Sequence, residues 1–207
     1  MPKEPNNIDL SILILSIPSR IQSLNKLLEN LEVQIQDDRV EILTLLDNKS
    51  FHIYEKRNKL LDMSRGKYTC FLDDDDFVSG DYIPSVLDAI DKDSPDVVCF
   101  KQHCEYNGKP FDVYFDINHT WNPLEPLKWV FNSHFQDLNR PPFHMCPFKS
   151  EISKSERFGE VYSPDGQSCE DADWLLRLYP KVKTQTVLDK TLHYYNYSSE
   201  GTESILK

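Results

Sequence analysis

The stretch KYTCFLDDDDF, residues 67–77, sets an apolar segment directly before four consecutive aspartates. The pattern predicts a buried strand over residues 67–72 with the carboxylates at its carboxyl end. Adjacent carboxylates repel one another unless positive charge lies nearby. Asp73 and Asp75 point to the same side of an extended chain, and Mg²⁺ or Mn²⁺ shares such oxygen ligands with substrate phosphates. The run therefore favours a divalent-cation site over a solvated acidic loop.

The segments around this run alternate between strand and helix patterns. Apolar runs predict strands over residues 10–17, 40–46 and 96–101, and helical spacing predicts helices over 21–31, 51–64 and from near Ser79 to Ile90. Ser19 is expected to cap the first helix, and Gly66 to end the second. The series predicts an α/β fold, a mostly parallel sheet with helices on both faces. Because ligands bind beyond the carboxyl ends of such strands, Asp47 should share a rim with the aspartates.

The second half is less regular. Asn107-Gly108 predicts a hairpin over residues 98–117, and residues 118–150 are expected to form loops and short helices over the sheet edge. A helix is predicted over residues 170–179 and a strand over 184–197. No linker divides the chain, so we expect a single domain over residues 1–207.

Composition narrows the functional classes. A chain of 207 residues, 39% hydrophobic, can bury one substantial core, and its formal net charge of -11 argues against a nucleic-acid partner. Five cysteines without a CxxC pair predict reduced thiols rather than zinc ligands. The longest apolar stretch is about half of a membrane span and follows no basic region, so we expect a cytoplasmic protein with no transmembrane segment.

Two other metal-dependent classes can be compared with the aspartate run. An EF-hand loop starting at Asp73 would need Gly and Glu where Val78 and Pro84 stand. The segment from Asp74 to Val78 does fit the Asp-x-Asp-x-Val pattern of haloacid-dehalogenase-like phosphatases, in which Asp74 would be the nucleophile. That motif normally ends the first strand of its fold, whereas two strand–helix units precede it here. A non-catalytic carbohydrate- or metal-binding module is a further alternative.

Four segments together resemble a known family: SILILSIPSR (11–20), EILTLLD (41–47), KRNKLLDMSRGKYTCFLDDDDF (56–77) and CEDADWLLRL (169–178). Their order is similar to that of GT-A glycosyltransferases, especially glycosyltransferase family 2. The resemblance implies a metal-dependent glycosyltransferase of the hexosyltransferase type. It would use Mn²⁺ or Mg²⁺ and transfer a sugar from a nucleoside-diphosphate sugar, with UDP the expected nucleotide, to a hydroxyl of a glycan or other acceptor.

The resemblance also implies an internal division and a source. Residues 1–101 would form the nucleotide-binding half, and residues 102–207 the acceptor-binding half. The compact chain is similar to the small glycosyltransferases of large DNA viruses, which would place it in the host cytoplasm. A single base opposite the leaving group would make the enzyme inverting.

The resemblance assigns roles to individual residues. Asp75 would be the main metal ligand, with Asp73 on the metal or ribose, and Asp171 would be the catalytic base, with Glu170 beside it. The remaining donor-site residues would be Pro18, Ser19, Arg20, Asp47, Arg57 and Asp74, with His193 as a further metal or phosphate contact.

Several of these roles have plainer alternatives. Asp47 could be a turn residue, and Arg57 a surface residue paired with Glu55 or Asp62. Glu170 and Asp171 suit the first turn of a helix because its dipole favours anions. His193 could be an ordinary strand histidine, and His144 either a core residue or part of the acceptor side.

Overall fold

The computed structural model describes residues 7–36, 38–106, 108–120, 137–162 and 169–197. Within these ranges the strands are β1 (Leu10–Ser16), β2 (Val40–Leu46), β3 (Tyr68–Asp73), β4 (Phe77–Val78), β5 (Val97–Tyr106), β6 (Lys109–Phe115), β7 (Leu138–Arg140), β8 (Phe148–Lys149) and β9 (Gln185–Tyr197). The α-helices are α1 (Ile21–Glu32), α2 (Ile53–Met63), α3 (Tyr82–Asp93), α4 (Ser150–Ser153) and α5 (Glu170–Leu178). None of the helices in these ranges has both the length and the apolar character that crossing a membrane requires.

The centre of the sheet is β1, which pairs in parallel with β2 on one side and β3 on the other. The crossover from β1 to β2 and the crossover from β2 past β1 to β3 run in opposite directions across the sheet, and right-handed crossovers then place α1 and α2 on opposite faces. Every residue of β1 is buried, because each face is covered. This arrangement confirms the mostly parallel α/β sheet expected from the sequence.

The second half of the sheet is mixed. Strand β8 pairs antiparallel with β3 and with β5. Strand β9 runs parallel to β5, while β5 and β6 form the predicted antiparallel hairpin. Strand β4 pairs antiparallel with β9 through Val78 and His193. These pairings bring the residues that follow β3 against the carboxyl-terminal half of β9.

Differences from the sequence-based expectations concern short elements. Strands β4, β7 and β8 are two or three residues long, too short to show an alternating pattern. Two of them lie within residues 118–150, where loops and short helices were expected; residues 121–136 of that segment lie outside the described ranges. No side chain caps α1, because Pro18–Arg20 form a 3₁₀ turn before it and Ser19 is exposed.

Gly66 serves a different purpose from the predicted helix stop. Helix α2 ends at Met63, and Ser64 after it is already extended. The Gly66 N–H donates to the Ser11 hydroxyl at 2.8 Å, and a Cβ at this position would lie 2.6 Å from the backbone nitrogen of Ser11. Glycine is required here because the chain entering β3 passes directly against β1.

We predict that Gly66→Ala lowers the free energy of unfolding by roughly 1–3 kcal/mol, because the methyl group must push apart two central strands. Gly80→Ala is the matched control: Gly80 has no atom within 4 Å of the added Cβ, so its change should stay within about 0.5 kcal/mol. Urea unfolding followed by circular dichroism measures both. Equal stability of the two variants would contradict the tight packing at Gly66.

Candidate active site

The four aspartates form a tight turn at the end of β3. The Asp76 N–H donates to the Asp73 carbonyl at 3.0 Å, and the Asp73 N–H donates to Asp76 Oδ2 at 2.8 Å. The Asp76 side chain is buried, and its Oδ2 lies 2.9 Å from His193 Nε2. Asp76 therefore closes the turn from inside.

His193 supports this turn from β9. Its Nδ1 lies 3.0 Å from the Gln102 side-chain amide nitrogen, which can only donate, so the ring proton belongs on Nε2, facing Asp76. The Nε2 contact is close but too oblique for a regular hydrogen bond. His193 is fully buried and its ring faces Asp76. The ring therefore supports the acidic turn through Asp76, and a contact of His193 with a metal or phosphate stays a prediction.

Asp74 is also a structural member of the turn. One carboxylate oxygen accepts from the Ser16 hydroxyl at 2.7 Å and the other from Arg20 Nη1 at 2.9 Å. Its side chain is only 4% exposed. A nucleophile needs an accessible oxygen, so this arrangement argues against the phosphatase alternative. Asp74 also orients Arg20.

Asp75 is the open carboxylate of the turn, with its side chain 50% exposed and its Oδ2 3.1 Å from Arg20 Nη1. Partial burial is the main cause that raises the pKa of Asp75 to about 6; Arg20 opposes the rise, and Asp73, Asp76 and Asp74 add to it. Arg20 follows Pro18 and Ser19, which are exposed at the same rim. This surplus of negative charge is what a bound cation would offset.

Asp73 faces inward from the turn toward Arg57. The guanidinium of Arg57 is buried, with Nε 3.2 Å from Glu170 Oε1 and Nη2 3.7 Å from Asp73 Oδ1. Burial raises the pKa of Asp73, Asp76 raises it further, and His144 and Arg57 lower it in part. Arg57 thus joins the tip of β3 to the start of α5. The alternative expectation, a surface residue paired with Glu55 or Asp62 of the same helix, is wrong because Arg57 is buried.

Asp171 lies on the other side of this junction, with its side chain 22% exposed. Its Oδ1 accepts from the Ala172 N–H at 2.7 Å, and its Oδ2 lies 3.4 Å from Nδ1 of the buried His144. Burial alone would raise the pKa of Asp171, but His144 and Arg57 outweigh it and the pKa is lowered. Nε2 of His144 lies 4.0 Å from Asp73 Oδ2, so one imidazole lies between the two candidate functional carboxylates.

An aromatic cluster fixes α5 in this position. Trp174 stacks on Phe158 at 4.5 Å between ring centroids and meets Phe71 of β3 edge-on at 6.2 Å. Glu170 precedes Trp174 by four residues, so both lie on the buried face of the helix. The guanidinium carbon of Arg57 lies 5.0 Å from the centre of the Phe71 ring. Packing of Trp174 therefore holds the start of α5, with Glu170 and Asp171, next to the end of β3.

Asp47 lies at the same sheet edge, two strands from β3 and so roughly 10 Å away. Its carboxylate accepts hydrogen bonds from the N–H groups of Ser50 and Phe51 and from Lys56 Nζ at 2.8 Å. Burial opposes the effect, but these donors lower the pKa of Asp47. Within the protein Asp47 is a turn-forming residue on the rim, and Lys56 accompanies it.

The residues fit a shared cation site rather than a complete protein cage. Among the described residues, no group of three or more His, Cys, Asp or Glu side chains is arranged to hold a metal ion by itself. Mg²⁺, however, is usually held by one or two carboxylates together with substrate phosphates. Asp73 and Asp75 supply such oxygen ligands, with side chains 39% and 50% exposed.

Four residues that contribute to this cluster have contacts that the sequence pattern did not predict. Ser16 and Gln102 are polar residues within strands, and Asp76 was part of the aspartate run without a role of its own. His144 was placed either in the core or on the acceptor side. Only the polar Ser16 at the end of a buried strand offers a local signal.

Comparisons with known proteins identify the family and the fold of the chain. Residues 19–150 match Glycosyl transferase family 2. Glycosyltransferase GlyG of Streptococcus pneumoniae serotype 4 is 24% identical over 169 residues, covering 80% of this chain and 54% of GlyG.

Solved structures of S. aureus TarS share the fold. TarS 1-349 in complex with UDP-GlcNAc has a TM-score of 0.64 and 16% identity, covering 95% of this chain and 60% of that chain. The complex of TarS 1-349 with UDP has a TM-score of 0.64 and 15% identity, covering 93% of this chain and 62% of that chain. The chain thus spans between half and two thirds of the length of these relatives. They are bacterial proteins, and the expected likeness to viral enzymes stays a prediction.

The burial of Arg57 yields a prediction about stability. Arg57→Ala should cost roughly 3–5 kcal/mol of unfolding free energy, because it leaves Glu170 buried without its cation. The double variant Arg57→Met, Glu170→Gln removes both charges and should recover part of that loss.

Arg157→Ala is the control, since Arg157 forms an exposed ion pair with Asp62 and its loss should cost less than about 1 kcal/mol. Urea unfolding compares the three proteins. If Arg57→Ala cost no more than Arg157→Ala, the buried junction would not be a main source of stability.

Proposed function

The chain belongs to Glycosyl transferase family 2, and from that membership we propose that it is a metal-dependent, inverting glycosyltransferase. Its donor would be a nucleoside-diphosphate sugar and its acceptor a hydroxyl of a glycan or another molecule. One observation carries the proposal. Asp73 of the β3 turn and the Glu170-Asp171 pair of α5 lie in one connected cluster, because Arg57 joins Asp73 to Glu170 and His144 joins Asp73 to Asp171.

The donor would lie over the carboxyl ends of β1, β2 and β3. Asp47 with Lys56, and Pro18 to Arg20, border this rim and would surround the base and ribose. The TarS structures that resemble this chain contain UDP-GlcNAc or UDP, which supports a uridine nucleotide as the donor carrier.

Asp75 and Asp73 would hold Mn²⁺ or Mg²⁺ against the diphosphate. When bound, the cation supplies positive charge that offsets the negative charge developing on the departing diphosphate. Arg20 contacts both Asp74 and Asp75, so it can shift toward a phosphate oxygen once Asp75 engages the cation. Asp74 keeps Arg20 at the rim in either arrangement.

Asp171 would take the proton from the acceptor hydroxyl as the oxygen attacks the anomeric carbon. Its carboxylate is ionised, because its pKa is lowered by His144 and Arg57 against the effect of burial, and it is partly exposed. Glu170 is buried on Arg57 and would keep that cation in place rather than touch substrate. One base in the cluster favours a single displacement, and hence inversion of the anomeric carbon.

The two halves of the chain would divide the work. Residues 1–101 contribute the acidic turn and the nucleotide rim, and residues 102–207 contribute His144, Glu170, Asp171 and the acceptor side. A non-catalytic carbohydrate- or metal-binding module is the alternative that experiment must exclude. It would bind a sugar or a cation without releasing UDP from a donor.

Asp75→Asn should weaken Mn²⁺-dependent binding of UDP-GlcNAc more than roughly tenfold, because a main oxygen ligand loses its charge. Isothermal titration calorimetry with and without Mn²⁺ measures the effect. Asp88→Asn, an exposed aspartate on α3, is the control and should bind as the unmodified protein does. Equal affinity of both variants would remove Asp75 from the donor site.

Asp171→Asn should lower the rate of UDP release from UDP-GlcNAc by a factor on the order of 10²–10⁴, because the amide cannot accept the acceptor's proton. Donor binding should change little. Asp173→Asn is the control on the same helix, where Asp173 pairs with Arg177, and its rate should stay near normal. A retained rate in Asp171→Asn would exclude it as the base. Donor binding by the unmodified protein without UDP release from any donor sugar would favour the binding module.

A further inference from the structure

We propose that His144 is a positioning residue that sets the orientation of Asp171 relative to the donor site. The inference rests on the proposed function, since it assigns a task to a residue through the base it contacts. His144 is buried and lies between Asp171 and Asp73, at 3.4 Å from one carboxylate and 4.0 Å from the other.

The main chain of His144 is fixed to the donor-binding strand. Its carbonyl accepts a hydrogen bond from the Phe71 N–H at 2.9 Å, two residues before Asp73. The ring is held between β3 and α5 and lies 4.8 Å, between centroids, from the Phe143 ring. The imidazole therefore moves with the tip of β3 rather than with the helix that carries Asp171.

The Asp171 carboxylate needs such a reference point. Its Oδ1 is bonded to the N–H of the next residue, Ala172, within its own helix. That contact leaves the direction of the second oxygen undefined with respect to β3. His144 Nδ1 approaches this second oxygen, and within the described part of the chain the nitrogen has no well-aligned hydrogen-bond partner. Catalytic hydrogen bonds are often long without substrate and tighten when it binds.

A proton on Nδ1 donated to Asp171 Oδ2 would direct the lone pair of Oδ1 that the Ala172 N–H leaves unused toward the acceptor side. It would also place them at a fixed distance from Asp73, because His144 follows β3. Small displacements of reacting groups have large effects on rate. The role is therefore to orient the base, and it requires no contact between His144 and substrate.

Two substitutions of His144 distinguish the contribution of Nδ1 from that of Nε2. The amide nitrogen of asparagine reaches about where Nδ1 lies, so His144→Asn can still donate to Asp171. The longer glutamine reaches about where Nε2 lies, so His144→Gln keeps only the contact toward Asp73. We expect His144→Ala and His144→Gln to lower kcat for UDP release from UDP-GlcNAc by roughly 10–100-fold. His144→Asn should recover most of the rate, and KM for the donor should change less than about threefold in all three.

A second measurement does not depend on turnover. In the unmodified protein, ¹⁵N NMR of the imidazole should show Nδ1 protonated, and Asp171→Asn should shift that resonance. If His144→Asn and His144→Gln lowered kcat equally, or if the variants changed KM alone, His144 would act through general packing and the proposal would be overturned. An unprotonated Nδ1 would also overturn it. If the unmodified protein released UDP from no donor, the proposed function would fail, and the NMR result would still decide whether His144 donates to Asp171.

Discussion

The structure depends on Arg57 and His144, two side chains that lie between carboxylates that would otherwise repel each other. Arg57 of α2 contacts Asp73 at the end of β3. It also contacts Glu170 at the start of α5, which lies 113 positions after Arg57 in the sequence. His144 makes a parallel connection from Asp73 to Asp171. Removing charge from water is costly unless it is paired, so the two acidic segments are stable side by side only with this pairing.

The carboxylates of this cluster outnumber the basic side chains that accompany them. Six carboxylates, those of Asp73 to Asp76, Glu170 and Asp171, are accompanied by Arg20 and Arg57 and by two histidines. Asp74, Asp76 and Glu170 are buried on polar partners, whereas Asp73 and Asp75 keep exposed oxygens. The negative surplus is therefore concentrated where a cation and a diphosphate could reach it.

Much of this could be read from the sequence because it depends on local patterns. An apolar strand followed by four aspartates gives the acidic turn, and a helix beginning with Glu170-Asp171 and carrying Trp174 gives the second acidic segment. The contacts between them could not be predicted locally. His144 follows two prolines and a phenylalanine with no periodic pattern, and its position depends on a backbone hydrogen bond to Phe71. The resemblance assigned His193 to a metal or phosphate, whereas its contacts with Gln102 and Asp76 give it a supporting role in this state. Gly66 likewise reads as a helix stop, while its requirement comes from Ser11, on another strand.

The central claim is that the β3 turn and the start of α5 form one active site. Paramagnetic broadening by Mn²⁺ in the presence of UDP tests it most directly, since the effect falls steeply with distance from the ion. The account predicts that backbone amide signals of residues 73–76 and of 170–172 broaden together at low Mn²⁺, while signals at Asp88 on α3 stay sharp. Broadening confined to one of the two segments, or spread evenly over the acidic surface, would contradict it.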